Sequence, residues 1–207
     1  MMKISPSEIP KVILASKDSS EIPSVAERVR PTWVFLLGGA AGTVMGASKL
    51  LGSRGFTVFV HIDMVHGLSK DPEGIRLLKT FAQPAGIIST HPSIVTAAHK
   101  AGLATIERIF LLDSSSVESG IKNIERSQPD AVEVLPGILP RQISAIASQL
   151  SVPLIAGGLI TTPDQVFDAL RSGAHGISTS SEELVLEFEA LASHRRRIGV
   201  MAEDEKV

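Results

Sequence analysis

Short apolar runs alternate with segments of helical character along the 207 residues of the chain. A short run that is rich in β-branched residues and bounded by Pro, Gly or polar residues is typical of a buried strand. Eight runs are predicted to be strands, at 11–15, 32–37, 56–63, 86–90, 104–112, 131–135, 154–156 and 176–178. Each is followed by a predicted helix, at 20–29, 43–53, 71–81, 92–100, 114–127, 139–150, 162–172 and 181–197.

Eight consecutive strand–helix units predict an α/β fold, a single TIM-like (β/α)8 barrel that spans residues 1–207. The last helix, at about 181–197, is followed by a short polar C-terminal tail. The alternative is an open doubly wound sheet of the flavodoxin or Rossmann type. No Gly-x-Gly-x-x-Gly follows the first predicted strand, which counts against the dinucleotide-binding form of that sheet.

Composition narrows the class of protein. The net charge is −2, so no global field attracts nucleic acid, and the absence of cysteine excludes disulfides and thiolate metal sites. The first residues lack the apolar core of a signal peptide, and no apolar run approaches the roughly 20 residues that cross a bilayer. We therefore expect a cytoplasmic protein with no membrane partner; the oligomeric state, including a homo-oligomer, stays open.

Two predicted strand ends carry residues suited to a phosphate. Gly157 and Gly158 follow the seventh strand, and Ser178, Thr179 and Ser180 close the eighth. Backbone N–H groups, hydroxyls and helix N-termini bind anions, and the loops after strands seven and eight often form the phosphate site of a (β/α)8 barrel. The Gly-Gly pair alone would also suit a tight strand-to-helix turn.

Other polar residues are predicted at the same end of the barrel. His61 and Asp63 share one face of the third strand, which suits an acid/base pair, half of a metal site, a polyol-binding pair or a buttressing His. Glu133 could supply a third metal ligand, but no helical His-x-x-x-His accompanies it, so no metal or other cofactor is predicted.

Glu107 and Arg108 are adjacent on the fifth strand, so only one of them can face the barrel interior. An ion pair between Glu133 and either Arg108 or Lys17 would be structural, whereas contact with a ligand would be functional. The sequence leaves these two interpretations equal.

Several stretches together resemble the glycerol uptake operon antiterminator family of bacterial regulators. They keep the family's order and spacing from about Val12 to Leu184. The stretches are TWVFLLGG (32–39), VFVHIDMVHGL (58–68), GIIST (86–90), TIERIFLLDS (105–114), PDAVEVLPGIL (129–139), PLIAGGLI (153–160) and GISTS (176–180).

The resemblance implies a TIM-like barrel that binds glycerol 3-phosphate and acts on leader mRNA of glycerol-utilisation transcripts to prevent premature termination. It implies no catalysis and therefore no catalytic residues. The phosphate residues carried over are Gly157, Gly158, Ser178, Thr179 and Ser180. The polar residues carried over are His61, Asp63, Arg108 and Glu133, with roles assigned by chemistry. Asp63 and Glu133 would accept hydrogen bonds from the glycerol hydroxyls, His61 could donate or accept one, and Arg108 could pair with these acids or reach the anion.

Two departures and one alternative accompany the resemblance. Family members often have an acidic residue near His66 and a basic one near His91, and His91 would hold an anion only when protonated. Residues 195–197, three arginines, are predicted to complement the dipole of the last helix rather than to bind RNA.

The alternative function is a sugar-phosphate isomerase, decarboxylase or lyase that uses His61, Asp63 and Glu133 for acid/base catalysis.

Overall fold

The computed structural model, which describes residues 3–25 and 27–197, is a closed barrel of eight parallel strands. The strands neighbour one another in chain order, and β8 pairs with β1 to close the sheet. They are β1 (Val12–Ser16), β2 (Trp33–Leu36), β3 (Thr57–His61), β4 (Gly86–Ser89), β5 (Ala104–Phe110), β6 (Ala131–Leu135), β7 (Leu154–Gly157) and β8 (Gly176–Thr179). The predicted barrel is confirmed, and the open sheet is excluded.

A helix follows every strand and packs outside the barrel. The helices are α1 (Ile22–Val25), α2 (Ala41–Ser53), α3 (Pro72–Ala82), α4 (Pro92–Lys100), α5 (Ser114–Ser127), α6 (Pro140–Ala147), α7 (Pro163–Arg171) and α8 (Glu182–Arg197). The predicted C-terminal tail lies outside the described residues. Among the described helices, none combines the length and the apolar character that a membrane crossing requires.

The first predicted helix is wrong in length, because only Ile22–Val25 is helical among the residues of this segment that the structure describes, 20–25 and 27–29. Asp18 accepts hydrogen bonds from the amide and the hydroxyl of Ser20, at 2.8 and 2.6 Å. This turn, in which an Asp side chain bonds the backbone two residues later, replaces the predicted first helical turn.

The third strand also ends earlier than predicted, at His61, and a 3₁₀ turn over Ile62–Met64 follows it. Asp63 lies in this turn, so the prediction that it shares a strand face with His61 is wrong. Its carboxylate is hydrogen-bonded to the end of β4, and this attachment stabilises the turn.

Alternating side chains along the strands divide the core into two layers. Residues such as Val34, Val60 and Val132 pack against the helices, and the opposite set fills the barrel. The floor of the barrel interior is apolar and aromatic. Phe59 lies at its centre, with ring centroids 4.7 Å from Trp33 and 5.7 Å from Phe35. Below the floor, Ile4 and Ile9 belong to the same cluster and close the end of the barrel at which the strands begin.

Candidate ligand-binding site

The barrel interior becomes polar one inward position above the apolar floor. Because strand side chains alternate, the residue two positions after an inward one also points inward. His61 follows Phe59 in this way, and Arg108 follows Ile106. The polar layer consists of His61, Arg108, Glu133, Gly157 and Ser178, each buried beneath the carboxyl ends of the strands.

Glu133 is the centre of this polar layer and is fully buried. Its carboxylate accepts a hydrogen bond from Arg108 Nε at 2.6 Å and one from the Ser178 hydroxyl at 2.5 Å. The ion pair with Arg108 is therefore formed, whereas Lys17 is exposed. No further hydrogen bond joins the terminal amino groups of Arg108 to the part of the chain that the structure describes, so they stay available to a ligand.

Gly157 supplies the space that this cluster occupies. A Cβ at this position would lie 2.5 Å from Ser178 Oγ and 2.6 Å from Glu133 Oε1, closer than real contacts allow. The second member of the Gly-Gly pair has another role, because Gly158 has a φ of +77° and forms part of the loop.

Glu107 and Arg108 face opposite sides of β5, as their adjacency predicts. Arg108 points into the barrel, and Glu107 points toward α5, where it accepts a hydrogen bond from Ser127. Burial raises the pKa of the Glu107 carboxyl, although the bond from Ser127 opposes the shift. Glu107 therefore lies outside the candidate site.

His61 and Asp63 do not form a hydrogen-bonded pair, since His61 Nδ1 lies 3.9 Å from Asp63 Oδ2. Asp63 instead accepts from the Ser89 hydroxyl at 2.7 Å and from the Thr90 amide and hydroxyl at 2.7 and 2.9 Å. Burial raises the pKa of Asp63, but these hydrogen bonds outweigh burial and lower it overall. His91 Nδ1 also approaches Asp63 Oδ2, at 3.3 Å, although the His91 side chain is largely exposed.

His61 is neutral at pH 7. Burial, together with the charge of Arg108, lowers its pKa to about 4, although the charge of Asp63 opposes the shift. Its Nδ1 is buried and has no hydrogen-bond partner among the described residues. A buried ring nitrogen without a partner is unfavourable, and a ligand hydroxyl would satisfy it. No group of three or more His, Asp or Glu side chains in the described part of the chain is arranged to hold a metal ion.

The loops after β7 and β8 lie side by side, because Gly157 pairs with Ser178 in the sheet. In the described structure, the amides of Gly158, Leu159 and Ser180 donate to no protein acceptor. Leu159 has a φ of +64° and an exposed side chain, so its backbone follows the left-handed turn begun by Gly158. These amides and the adjoining helix N-termini suit an oxyanion.

The hydroxyls of the predicted phosphate residues point in different directions. Ser178 donates into the barrel to Glu133, and Ser180 is exposed. Thr179 faces outward, where its hydroxyl donates to the Ile160 carbonyl at 2.8 Å and accepts from the Ser181 amide at 3.1 Å. Thr179 therefore joins the two loops to each other.

Gly137 and Leu159 were not singled out by the sequence, although both shape the candidate site. A Cβ at Gly137 would lie 2.9 Å from the amide nitrogen of Gly157, and the Gly137 amide donates to the Gly158 carbonyl at 3.1 Å. The loop after β6 thereby supports the loop after β7. The Pro136-Gly137 pair predicts a turn but does not predict this contact. Nothing in the sequence predicts that Leu159 adopts a left-handed backbone conformation.

These features place the protein in a class of (β/α)8 barrels. Barrels of this class have a polar layer in the interior and, after strands seven and eight, loops whose backbone can bind an anion. The family model of the glycerol-3-phosphate-responsive antiterminators matches residues 12–185. The chain belongs to this family.

Individual relatives agree with the family assignment. The uncharacterized protein YgcP of Escherichia coli K12 is 32% identical over 170 residues, which cover 82% of this chain and 88% of YgcP. The glycerol uptake operon antiterminator regulatory protein of Listeria monocytogenes has a similar structure, with a TM-score of 0.78 and 34% identity over 83% of this chain and 92% of its own. A glycerol uptake operon antiterminator-related protein of Thermotoga maritima gives a TM-score of 0.76 and 35% identity, over 86% of this chain and 98% of its own.

Proposed function

We propose that the protein is a glycerol 3-phosphate-responsive transcription antiterminator. In this proposal it binds glycerol 3-phosphate at the carboxyl end of the barrel and, in that state, binds leader mRNA of a glycerol-utilisation operon and prevents premature termination. Such a regulator works in the cytoplasm, where the transcript is made. Membership of the family supports the regulatory role, and the site supports the ligand.

The observation that carries the ligand assignment is the division of the site into two chemically different parts. The amides of Gly158, Leu159 and Ser180 form an anion-suited part at the rim. The interior layer has no excess charge, since Arg108 is paired with Glu133 and His61 is neutral. A phosphate at the rim and hydroxyl groups in the interior match a phosphorylated polyol better than a ligand with two anionic ends.

The roles of the interior residues follow from the contacts they already make. His61 Nδ1 is proposed to exchange a hydrogen bond with a ligand hydroxyl. The terminal amino groups of Arg108 donate to the ligand, while Glu133 holds the guanidinium in place. Asp63 is bonded to the end of β4, so we propose that it positions the rim beside His61 and contacts the ligand least.

The same contacts disfavour the enzyme alternative. Acid/base catalysis at neutral pH needs a group whose pKa lies near 7. The pKa of His61 is about 4, the pKa of Asp63 is lowered, and Glu133 is fully buried between Arg108 and Ser178. We therefore propose a sensor that has no catalytic activity and no cofactor.

Ligand control requires tighter binding of glycerol 3-phosphate to the RNA-binding state than to the inactive state. The test is transcription by purified RNA polymerase through the leader and terminator of a glycerol-utilisation operon. We expect the protein to increase read-through only when glycerol 3-phosphate is present, and not with glycerol or inorganic phosphate. Steady turnover of a sugar phosphate by the same preparation, without any effect on read-through, would support the enzyme instead.

A further inference from the structure

The two ends of the barrel carry opposite charge. At the ligand end, acidic residues occupy helix N-caps and first helical turns, namely Asp71, Glu73, Asp113, Asp164, Glu182 and Glu183. At the other end, where strands begin and helices finish, basic residues predominate. Lys100 closes α4, and Arg126 lies in the last turn of α5.

Helix dipoles account for part of this arrangement, because cations stabilise helix C-termini. They do not account for Lys3 and Lys11, which lie outside any helix, before β1 and at the same end. Lys3, Lys11, Lys100 and Arg126 are all exposed, and none forms an ion pair with another described residue. Their charges are therefore available to a polyanion.

Binding clefts commonly have volumes of about 300–1,000 Å³, and a cavity of about 940 Å³ lies at this basic end. Lys3, His99, Gln128, Gln149 and His175 line it, together with two acidic residues, Glu125 and Asp130. Asp130 is buried and accepts hydrogen bonds from Thr105, and the lining residues His99 and Glu125 directly precede Lys100 and Arg126 in the chain. Its side chains offer hydrogen-bond donors and acceptors at the edge of the positive surface. This combination suits a nucleic-acid strand whose phosphates meet the lysines while the strand follows the cavity.

We propose that leader RNA binds to this basic end of the barrel, opposite the ligand, with Lys3, Lys11, Lys100 and Arg126 as phosphate contacts. The inference rests on the proposed antiterminator function. The acidic ligand end would repel the same phosphates, so the two sites are at opposite ends of one barrel.

The helices that begin at the ligand loops provide the connection between the two sites. α7 and α8 start beside the loops after β7 and β8 and finish at the basic end. α8 has 16 residues and, at 1.5 Å per residue, spans about 24 Å. A shift of its N-terminus on phosphate binding would therefore move its C-terminus at the RNA site.

The test compares two double variants in binding to a leader transcript at several salt concentrations, with saturating glycerol 3-phosphate. One is Lys100→Gln/Arg126→Gln at the basic end. The matched control is Lys70→Gln/Arg141→Gln, which removes the same two charges from exposed positions at the ligand end. Calorimetric titration with glycerol 3-phosphate checks that each variant is folded and keeps its ligand site.

We expect the basic-end variant to bind the transcript at least tenfold more weakly at low salt. The slope of the logarithm of its RNA-binding constant against the logarithm of the salt concentration should be shallower by about two, one for each lost phosphate contact. Its affinity for glycerol 3-phosphate should be unchanged. The control should bind RNA within about twofold of the unsubstituted protein. An unchanged salt dependence of the basic-end variant, or a greater loss in the control, would overturn the location but leave the antiterminator function intact. Failure of the unsubstituted protein to bind the transcript with ligand would overturn the proposed function itself.

Discussion

The lower and upper halves of the barrel interior are built by the same strands but differ in chemistry. In the lower half, Phe59 packs against Trp33 and Phe35 in an apolar cluster that fills the barrel. Two residues further along β3 and β5, the inward positions are His61 and Arg108. The lower half stabilises the barrel through burial of apolar area, whereas the upper half contains polar groups whose hydrogen bonds are only partly satisfied by protein.

This difference separates stability from ligand binding. Substitutions in the lower half should lower the free energy of unfolding and leave the affinity of the folded molecules unchanged. Substitutions in the upper half should alter affinity, and their effect on stability should depend on whether a charge is left without a partner.

The largest loss of stability is expected for Phe59→Ala in the lower half. Removal of a buried aromatic ring leaves a cavity, and the free energy of unfolding should fall by about 4 kcal/mol. Denaturant unfolding measures this loss, and titration of the folded fraction should give a glycerol 3-phosphate affinity within about twofold of the original. Phe59→Leu is the matched control and should lose less than half as much stability. A strong loss of affinity in either variant would remove the distinction between the halves.

The second largest effect is expected when the buried ion pair of the upper half is broken. Glu133→Ala leaves Arg108 without its partner and should lower the free energy of unfolding by about 3 kcal/mol. The double variant Glu133→Leu/Arg108→Met removes both charges and should recover most of that stability. Both variants should bind glycerol 3-phosphate at least tenfold more weakly. Normal affinity in the stable double variant would show that Arg108 serves the fold alone.

The pH dependence of stability tests the environment of His61. The folded-state pKa of about 4 lies below the unfolded value of 6.5, so the unfolded chain binds the proton first as the pH falls. Stability from this group is complete above about pH 6.5 and is lost progressively toward pH 4, by about 2 kcal/mol between pH 7 and pH 5. In denaturant titrations, the free energy of unfolding of His61→Asn should therefore fall by about 2 kcal/mol less between pH 7 and pH 5 than that of the original protein. Identical pH profiles for the two proteins would mean that His61 is not held neutral by the fold.

The smallest predicted effect concerns Gly158, in the loop that follows β7. Gly158→Ala forces a side chain onto a residue with a φ of +77° and brings its Cβ to 3.2 Å from Leu135 Cδ2. The free energy of unfolding should fall by about 1 kcal/mol. Gly46→Ala, in helix α2 with nothing within 4 Å of the added Cβ, should instead raise it by about 1 kcal/mol. An equal fall in the free energy of unfolding for Gly158→Ala and Gly46→Ala would show that the backbone conformation of the loop does not cause the destabilisation.

The barrel could be predicted from the sequence because strand runs and helix signals recur eight times. Alternation also required that only one of Glu107 and Arg108 face the interior, but the structure was needed to show that it is Arg108. What the sequence could not provide were contacts between distant loops. The attachment of Asp63 to the end of β4 shortened β3, and the close approach of Gly137 to Gly157 depends on how two loops meet. The directions of the Ser178 and Thr179 hydroxyls likewise follow from neighbours that only the folded chain brings together.

The most direct test of the central claim is calorimetric titration of the protein with glycerol 3-phosphate, and of Gly158→Asp in parallel. The account predicts saturable binding at one site per chain, weaker binding of inorganic phosphate and of glycerol, and a loss of at least tenfold in the variant. An Asp side chain would add negative charge where the phosphate is proposed to bind. Unchanged affinity in Gly158→Asp, or no binding of glycerol 3-phosphate to the original protein, would contradict the account.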